Sequence, residues 1–307
     1  MKDVIKVSVV NFKTKWGNKE ANLSRIEEYI IHAANEKTNL IVFPEMCLTG
    51  YDDEVDKIKE EKMQTILAET IPGPSTIRIS NLAKENNIIV CFGMPQRDKN
   101  NSDIIYNSAA IVHEDGRIEG YRKMHLPNPE PNWAIRGDEP MVFDSPWGKI
   151  GLSICYDTYK FPELIRYARA KGARLYVNCT ACCKETVLPK KVQLQLENYA
   201  STNSIFIASA NLCGKDKYNY FRGGSSIVGP TMDNLDVVYY AGRGFFDEGS
   251  DIQGIFTAII DLSQVDDNNL FVRNEKLGTP DFRPEIYARM YSELMRDKRW
   301  LSFYDNK

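Results

Sequence analysis

The sequence has few of the features that mark several common protein classes. Its 307 residues include three histidines, and no apolar run approaches the ~20 residues that a membrane-spanning helix needs. Lys and Arg total 39 against 42 Asp and Glu, so no basic surplus points to nucleic acid. The first residues lack the apolar core of a signal peptide. We therefore expect a protein with neither a membrane nor a nucleic-acid partner.

Cysteine is present in an odd number, seven, and most of these residues stand in apolar, strand-like segments. Without an export signal we expect reduced thiols in a cytoplasmic protein. Cys179, Cys182 and Cys183 lie close together as metal ligands often do. However, no second cysteine pair follows at zinc-finger spacing, and we expect no metal site.

Strand-like and helical patterns alternate along the chain, without a linker, a repeat or a low-complexity run. The helical patterns fall at residues 18–36, 53–69, 72–85, 163–171, 189–203 and 284–296. Turn residues at 114–116 and 145–148 predict two hairpins. The pattern predicts an α/β fold with mixed sheets, in which two similar halves pack sheet to sheet. We assign residues 1–280 to this domain and 281–307 to a C-terminal helical tail.

Cys155 stands at the end of one predicted strand. Ile150, Leu152 and Ile154 alternate with smaller residues, which predicts a short buried strand, and Pro162 predicts the start of a helix soon after it. A cysteine between a buried strand and a helix can face a pocket and be polarised by backbone N–H groups. The alternative is a small buried apolar residue, the commoner role of cysteine.

Glu45 and Lys123 have the same placement, directly after apolar strands. A carboxylate can take the proton of a thiol, and an ammonium group can stabilise an oxyanion. Either residue alone would be typical of a solvated loop charge. Because both residues directly follow apolar strands whose residues are buried, the interpretation as solvated loop charges is weakened for the pair.

Three motifs, in this order, resemble those of the nitrilase (carbon–nitrogen hydrolase) superfamily. They are Phe43-Pro44-Glu45 with Leu48-Thr49-Gly50-Tyr51, Tyr121-Arg122-Lys123-Met124-His125-Leu126, and Gly151-Leu152-Ser153-Ile154-Cys155-Tyr156-Asp157 with Phe161-Pro162-Glu163-Leu164. The resemblance covers nearly the whole chain. It implies a four-layer αββα sandwich, a Glu45–Lys123–Cys155 triad, and neither a metal nor an organic cofactor.

The resemblance also implies a mechanism, in which Glu45 deprotonates Cys155 and the thiolate attacks an amide or nitrile carbon. Lys123 and the N–H of Tyr156 would stabilise the oxyanion, and water would then hydrolyse a thioester. A second glutamate often supports the lysine in this superfamily. We expect Glu130 in that role, with Glu139 as the competing assignment.

The residues after the cysteine bear on the substrate, because true nitrilases typically have Trp-Glu where this chain has Tyr156-Asp157. This difference favours hydrolysis of a small linear amide, with release of ammonia and a carboxylate. An N-carbamoyl amine is the alternative substrate, and a nitrile is less favoured. A catalytically silent interaction protein on the same fold is the alternative from a different class.

Five residues are predicted to contact the substrate: Tyr51, Trp133, Tyr156, Thr180 and Lys184. Lys184 could pair with a substrate carboxylate, although a solvated lysine is the simpler interpretation, and Trp133 could instead serve loop packing. The superfamily commonly dimerises through the helix after the cysteine. The segment 162–170 has more apolar surface than one buried stripe requires, so we expect a homodimer or larger assembly.

Overall fold

The computed structural model describes residues 2–54, 56–183, 189–231, 233, 236–266, 270–272 and 275–302. The strands within these ranges are β1 (Val4–Asn11), β2 (Leu40–Val42), β3 (Ile89–Arg97), β4 (Ile105–Val112), β5 (Ile118–Arg122), β6 (Met141–Ser145), β7 (Gly148–Ile154), β8 (Leu175–Thr180), β9 (Phe206–Asn211), β10 (Cys213–Lys215), β11 (Tyr220–Arg222), β12 (Ser226–Pro230), β13 (Val237–Gly242) and β14 (Gly254–Asp261). The α-helices are α1 (Lys19–Asn35), α2 (Met63–Leu67), α3 (Pro74–Asn86), α4 (Tyr156–Lys160), α5 (Pro162–Ala170), α6 (Pro189–Asn203), α7 (Pro284–Arg296) and α8 (Arg299–Ser302).

Two six-stranded mixed sheets form the centre of the fold. The first has the order β14-β1-β2-β3-β4-β5, with β1, β2 and β3 parallel and the outer strands antiparallel to their neighbours. The second has the order β13-β12-β9-β8-β7-β6, with β7, β8 and β9 parallel. Each half thus has three parallel strands at its centre. The two predicted hairpins are confirmed as β4–β5 and β6–β7.

Alternation along the strands directs apolar side chains into three separate layers. In β1, Val9 packs between the sheets whereas Val10 packs towards α1 and α3. Such a change of face with every residue follows from the two-residue period of a strand. On the outer side of the second sheet, Ile165 of α5 and Leu196 of α6 close a third cluster. The order of layers is therefore α, β, β, α, and the predicted sandwich is confirmed.

One predicted helix is wrong. Residues 53–69 form a 3₁₀ turn (Lys59–Glu61) and the five-residue α2, with extended backbone between them. The buried Asp52 carboxylate accepts hydrogen bonds from the N–H of Met63 at 3.2 Å and from Nζ of Lys57 at 2.9 Å. These bonds fold the segment back on Asp52 and compete with the hydrogen bonds of a continuous helix.

The chain divides into two compact units, Met1–Asp266 and Asp267–Lys307. The first contains both sheets. The second contains α7 and α8, and α7 begins at Pro284, where the helical pattern of the tail begins in the sequence. Among the described residues, every helix is too short or too polar to span a bilayer.

Candidate active site

Loops from both sheets meet at one cavity of about 640 Å³. Glu45 follows β2 and Lys123 follows β5, both in the first sheet, whereas Cys155 directly follows β7 in the second. Glu45 and Cys155 line the cavity, and Lys123 lies fully buried in contact with Glu45. The three predicted strand-end residues thus come together although they are far apart in the sequence.

Lys123 is shared between two carboxylates. Its Nζ lies 2.7 Å from Oε1 of Glu45 and 2.6 Å from Oε1 of Glu130. The side chains of Lys123, Glu45 and Glu130 are 0%, 1% and 8% exposed. Buried charges persist only when they are paired and hydrogen-bonded, as these are. Glu139, the competing assignment, is exposed and lines a different cleft.

Asn107 of β4 ties the same group together. Its Nδ2 donates to Oε1 of Glu45 at 2.8 Å, to the hydroxyl of Tyr51 at 3.1 Å and to Oε2 of Glu130 at 3.2 Å. The Tyr51 hydroxyl in turn hydrogen-bonds Glu45, and burial together with Glu45 and Glu130 raises the pKa of Tyr51. Tyr51 therefore remains a neutral donor that helps to hold Glu45 in place.

The buried cluster contains two carboxylates and one ammonium group, so its charges do not balance. Burial opposes the charge of Lys123, but Glu130 and Glu45 outweigh it and raise the pKa of the ammonium group above its usual value. Burial raises the pKa of Glu130 to about 7, with Lys123 opposing and Glu45 reinforcing the shift. Two carboxylates that compete for one cation cannot both ionise easily in a buried site. Glu130 is thus the member that gains a proton near neutral pH.

Cys155 occupies a strained turn between β7 and α4. Its φ of 47° and ψ of −99° lie in a region that residues with a side chain rarely adopt, and such strain is often held at functional sites. Its N–H donates to the carbonyl of Cys179 at 3.0 Å and to Oδ1 of Asn178 at 3.1 Å, both at the end of β8. These two hydrogen bonds to β8 therefore fix the turn beside the cavity. The first N–H of α4, at Tyr156, has no acceptor within its own helix.

The surroundings of the Cys155 thiol favour its protonated form. A hydrogen bond with the Cys182 thiol, burial and the charge of Glu45 all raise the pKa of Cys155, against the opposing effect of Lys123. A thiol in this state needs a base before it can attack a substrate. Glu45, which lines the same cavity, is a carboxylate that can act as this base.

Asp157 joins the two loops, and sequence reasoning missed this role. Its buried carboxylate accepts from the Tyr121 hydroxyl at 2.6 Å, from the N–H of His125 at 2.9 Å and from Nδ1 of His125 at 2.8 Å. The His125 ring stacks on Phe161 at 3.4 Å. Asp157 lies two residues after Cys155, and His125 lies two residues after Lys123. A carboxylate that closely follows a buried apolar strand was the available signal, because such a group needs partners when it is buried.

The predicted substrate residues have different placements. Tyr51 and Tyr156 line the cavity with Cys155, whereas Trp133 is buried within the apolar layer outside the first sheet. Thr180 is fully buried, and its hydroxyl contacts Sγ of Cys182 at 3.3 Å. Lys184 lies outside the described residues. Within the described part of the chain, no group of three or more His, Cys, Asp and Glu side chains is placed to hold a metal ion.

Comparisons with known proteins agree with this geometry. A family model described as carbon-nitrogen hydrolase matches residues 6–267. A probable nitrilase from Schizosaccharomyces pombe is 31% identical over 291 residues, which cover 93% of this chain and 98% of that protein. An omega-amidase from Xenopus tropicalis is 32% identical over 224 residues, which cover 69% of this chain and 76% of that protein.

A solved structure gives the same result for the fold. The crystal structure of Saccharomyces cerevisiae Nit3, a member of branch 10 of the nitrilase superfamily, matches with a TM-score of 0.72 and 26% identity. The match covers 86% of this chain and 92% of that one. The resemblance inferred from the three motifs is therefore confirmed, and the chain belongs to the carbon-nitrogen hydrolase family of the nitrilase superfamily.

Proposed function

We propose that the protein hydrolyses the C–N bond of a small linear amide, with Cys155 as nucleophile, Glu45 as base and Lys123 as electrostatic stabiliser. One observation carries the proposal: a cysteine on a strained turn shares a cavity with a carboxylate that is itself paired with a buried lysine. Acyl transfer needs this combination of nucleophile, base and positive charge. The similarity to an omega-amidase favours an amide over a nitrile.

The first half of the reaction forms a thioester. Glu45 takes the proton of Cys155 as the sulfur attacks the carbonyl carbon, and the carbonyl oxygen becomes an oxyanion. The ammonium of Lys123 and the N–H of Tyr156, which has no acceptor within α4, stabilise this negative charge. When the intermediate collapses, Glu45 gives its proton to the departing amine, so that ammonia leaves and an acyl group stays on sulfur.

The second half returns the enzyme to its starting state. Glu45 takes a proton from a water molecule, which attacks the thioester carbon, and the same oxyanion contacts apply. Collapse of this intermediate releases the carboxylic acid and the thiolate of Cys155, which recovers a proton from Glu45. Asn107 hydrogen-bonds Glu45 and Glu130, and Glu130 pairs with Lys123. Glu130 and Asn107 thereby hold Glu45 and Lys123 at their positions throughout.

Two further lysines favour a substrate with an acidic group away from the amide. Lys160 and Lys191 both line the cavity. Burial and the charge of Lys191 lower the pKa of Lys160. Two like charges held side by side are stabilised when an anion lies between them. We assign to these two lysines the role of pairing with a substrate carboxylate, which the sequence suggested for Lys184.

Ammonia release from a panel of small compounds tests the proposal. The panel pairs amides that end in a carboxylate with neutral amides of the same length, and adds N-carbamoyl amines and nitriles. We expect the carboxylate-bearing amides to have the highest kcat/KM. Cys155→Ala should abolish turnover, and Cys155→Ser should be nearly inactive because a carboxylate is a weak base for an alcohol. Substantial hydrolysis by the alanine variant would contradict the mechanism.

A silent interaction protein on this fold would give a different result. Limited treatment with iodoacetamide, followed by peptide mass mapping, shows which of the seven cysteines reacts first. Selective labelling of Cys155, the one partly exposed cysteine among the described residues, supports an enzyme. Equal, slow labelling of all cysteines together with no ammonia from any compound would favour the interaction protein.

A further inference from the structure

A second thiol lies beside the candidate nucleophile. Cys182 lines the same cavity as Cys155, is 5% exposed, and forms a side-chain hydrogen bond with it. Its position is fixed on two sides. Its N–H donates to Oδ1 of Asn211 at 2.8 Å, and its Sγ contacts the Thr180 hydroxyl at 3.3 Å. The mechanism of amide hydrolysis gives this second thiol no task.

The next residue, Cys183, also lines the cavity but packs in a different apolar layer. Cys182 belongs to the apolar layer outside the second sheet, against which Cys155 packs. Cys183 belongs instead to the layer of the first sheet, and its backbone bridges to Phe221 of β11. Of the two cavity-lining thiols, Cys182 is the one that packs in the same apolar layer as Cys155. This shared packing makes Cys182, rather than Cys183, the partner that we assign to Cys155.

We propose that Cys155 and Cys182 form a redox pair, in which a peroxide converts the two thiols to a disulfide that reversibly blocks the candidate nucleophile. Both thiols line the same cavity and pack in the same apolar layer, which places them as neighbours from which a disulfide can form. The cavity admits a molecule as small as hydrogen peroxide. The proposed disulfide is a covalent modification of the protein, so its formation does not depend on which amide is the substrate.

The chemistry balances with the peroxide as the one oxidant. One sulfur gives two electrons to the peroxide, takes one oxygen to become a sulfenic acid, and water leaves with the other oxygen. The second sulfur, as thiolate, attacks the sulfenic sulfur, the S–O bond breaks, and the oxygen departs as a second water. In total, two thiols and one hydrogen peroxide give one disulfide and two waters. A dithiol reductant reverses the change by thiol–disulfide exchange.

The ionisation of the pair supports this reactivity. The hydrogen bond from Cys155 lowers the pKa of Cys182 against the opposing effect of burial, and Thr180 acts in the same direction. Cys182 therefore gains thiolate character, which peroxide oxidation requires. In contrast, burial raises the pKa of Cys47, Cys91 and Cys179, and it raises that of Cys213 to about 12. These four thiols are expected to stay reduced.

Intact mass after mild oxidation tests the proposal. The full-length protein is treated with stoichiometric hydrogen peroxide, denatured in N-ethylmaleimide and weighed. We expect two fewer maleimide adducts than the seven cysteines would accept, and a digest that contains the Cys155–Cys182 cross-linked peptide. Activity, where a substrate is in hand, should fall with the cross-link and return with dithiothreitol. The mass readout holds even if the amide proposal fails.

Two variants separate this role from simple packing. Cys182→Ser should form no cross-link and should instead accumulate sulfinic acid on Cys155, which dithiothreitol does not reverse. Cys183→Ser, the matched control, should form the cross-link as the wild type does. The proposal is overturned if the wild type forms no Cys155–Cys182 peptide while Cys155 reaches sulfinic acid as fast as in Cys182→Ser. It is equally overturned if the cross-link depends on Cys183.

Discussion

Lys123 is the one cation in a buried group with two carboxylates, so its removal has two separable effects. Lys123→Ala takes away the proposed oxyanion donor, and loss of one such donor lowers turnover by roughly 10²–10³ in other enzymes. It also leaves Glu45 and Glu130 facing each other without a counter-ion, which costs about 3–5 kcal/mol for a buried pair. We expect kcat to fall by far more than KM changes, and the free energy of unfolding to fall as well.

A double variant distinguishes these effects. Lys123→Ala with Glu130→Gln removes one positive and one negative charge, so it should recover part of the lost stability without recovering kcat. Steady-state kinetics and urea unfolding on both variants make the comparison. A rise in KM at unchanged kcat would assign Lys123 to ground-state binding. Recovery of turnover in the double variant would make its role purely structural.

The raised pKa of Glu130 predicts that the stability of the protein depends on pH. Because burial raises its pKa to about 7, the folded protein retains a proton that the unfolded chain releases near pH 4.3. Between these values the folded state binds more protons, so the stability of the wild type falls as pH rises. Glu130→Gln cannot ionise. From pH 5 to pH 8 the variant should therefore gain stability relative to the wild type, by up to about 3 kcal/mol.

The control for this measurement is Glu139→Gln, which changes an exposed glutamate in the same way. Urea unfolding at both pH values should show no pH-dependent difference between this variant and the wild type. If Glu130→Gln also shows none, Glu130 ionises at its ordinary pH and Lys123 fully compensates its burial. A change of the opposite sign would mean that Lys123 dominates and holds the pKa of Glu130 low.

At the scale of loops and strands, Asp157 links the turn of Cys155 to the loop of Lys123. Asp157→Asn replaces one acceptor oxygen by an NH₂ group, which faces the donors Tyr121 and His125. A buried donor without a partner costs about 1–3 kcal/mol, so we expect a loss of stability in this range. Because the loops carry the nucleophile and the lysine, kcat should fall more than KM rises.

Asp144→Asn is the matched control for this substitution. Asp144 forms an ion pair with Lys149, but its side chain is 77% exposed, and exposed pairs contribute little. Thermal unfolding and kinetics should leave this variant within about 0.5 kcal/mol of the wild type, with unchanged kcat. If Asp157→Asn is equally mild, the two loops are held by other contacts and Asp157 is not a positioning residue.

Much of the order of helices and strands could be predicted because it follows from local sequence patterns. The helical patterns at 18–36, 72–85, 189–203 and 284–296 correspond closely to α1, α3, α6 and α7. The failures have long-range causes. Asp52 gathers its own partners and prevents a helix over 53–69. The β10–β11 ribbon was missed because its two short strands, Cys213–Lys215 and Tyr220–Arg222, are not apolar runs. The partners of Asp157 come from a different sheet, which no local pattern records.

At the scale of the whole molecule, the two halves are arranged in a similar way. This similarity explains why part of the site could be predicted. Glu45, Lys123 and Cys155 each end an apolar strand, and that placement is visible in the sequence. The motifs then identify the family. The sequence does not show how deeply a side chain is buried: Trp133 and Thr180 are loop or strand-end residues in the same region, and both are buried behind the residues that line the cavity. Which side chain reaches a cavity depends on how the two sheets stack.

The predicted homodimer rests on α5, the helix that follows the turn of Cys155. Ile165 and Ala168 are buried against the second sheet, whereas Tyr167 on the same helix is 43% exposed. Aromatic residues are enriched at interfaces, and Tyr167 is the exposed aromatic residue of α5 on which we test the predicted dimer. We expect the wild type to sediment as a dimer or larger assembly, and Tyr167→Glu to dissociate it, because burial of an unpaired charge is unfavourable.

Activity should follow assembly, because α5 begins seven residues after Cys155 and packing across an interface would restrain the nucleophile turn. Sedimentation and kcat/KM are measured on the wild type, on Tyr167→Glu and on Ile77→Glu. Ile77 lies on α3, on the first sheet, and is 52% exposed, so it controls for the insertion of a charge on an apolar surface site. We expect Ile77→Glu to remain assembled and active, and Tyr167→Glu to be smaller and slower. A monomeric wild type, or a fully active monomeric variant, would contradict the link between assembly and catalysis.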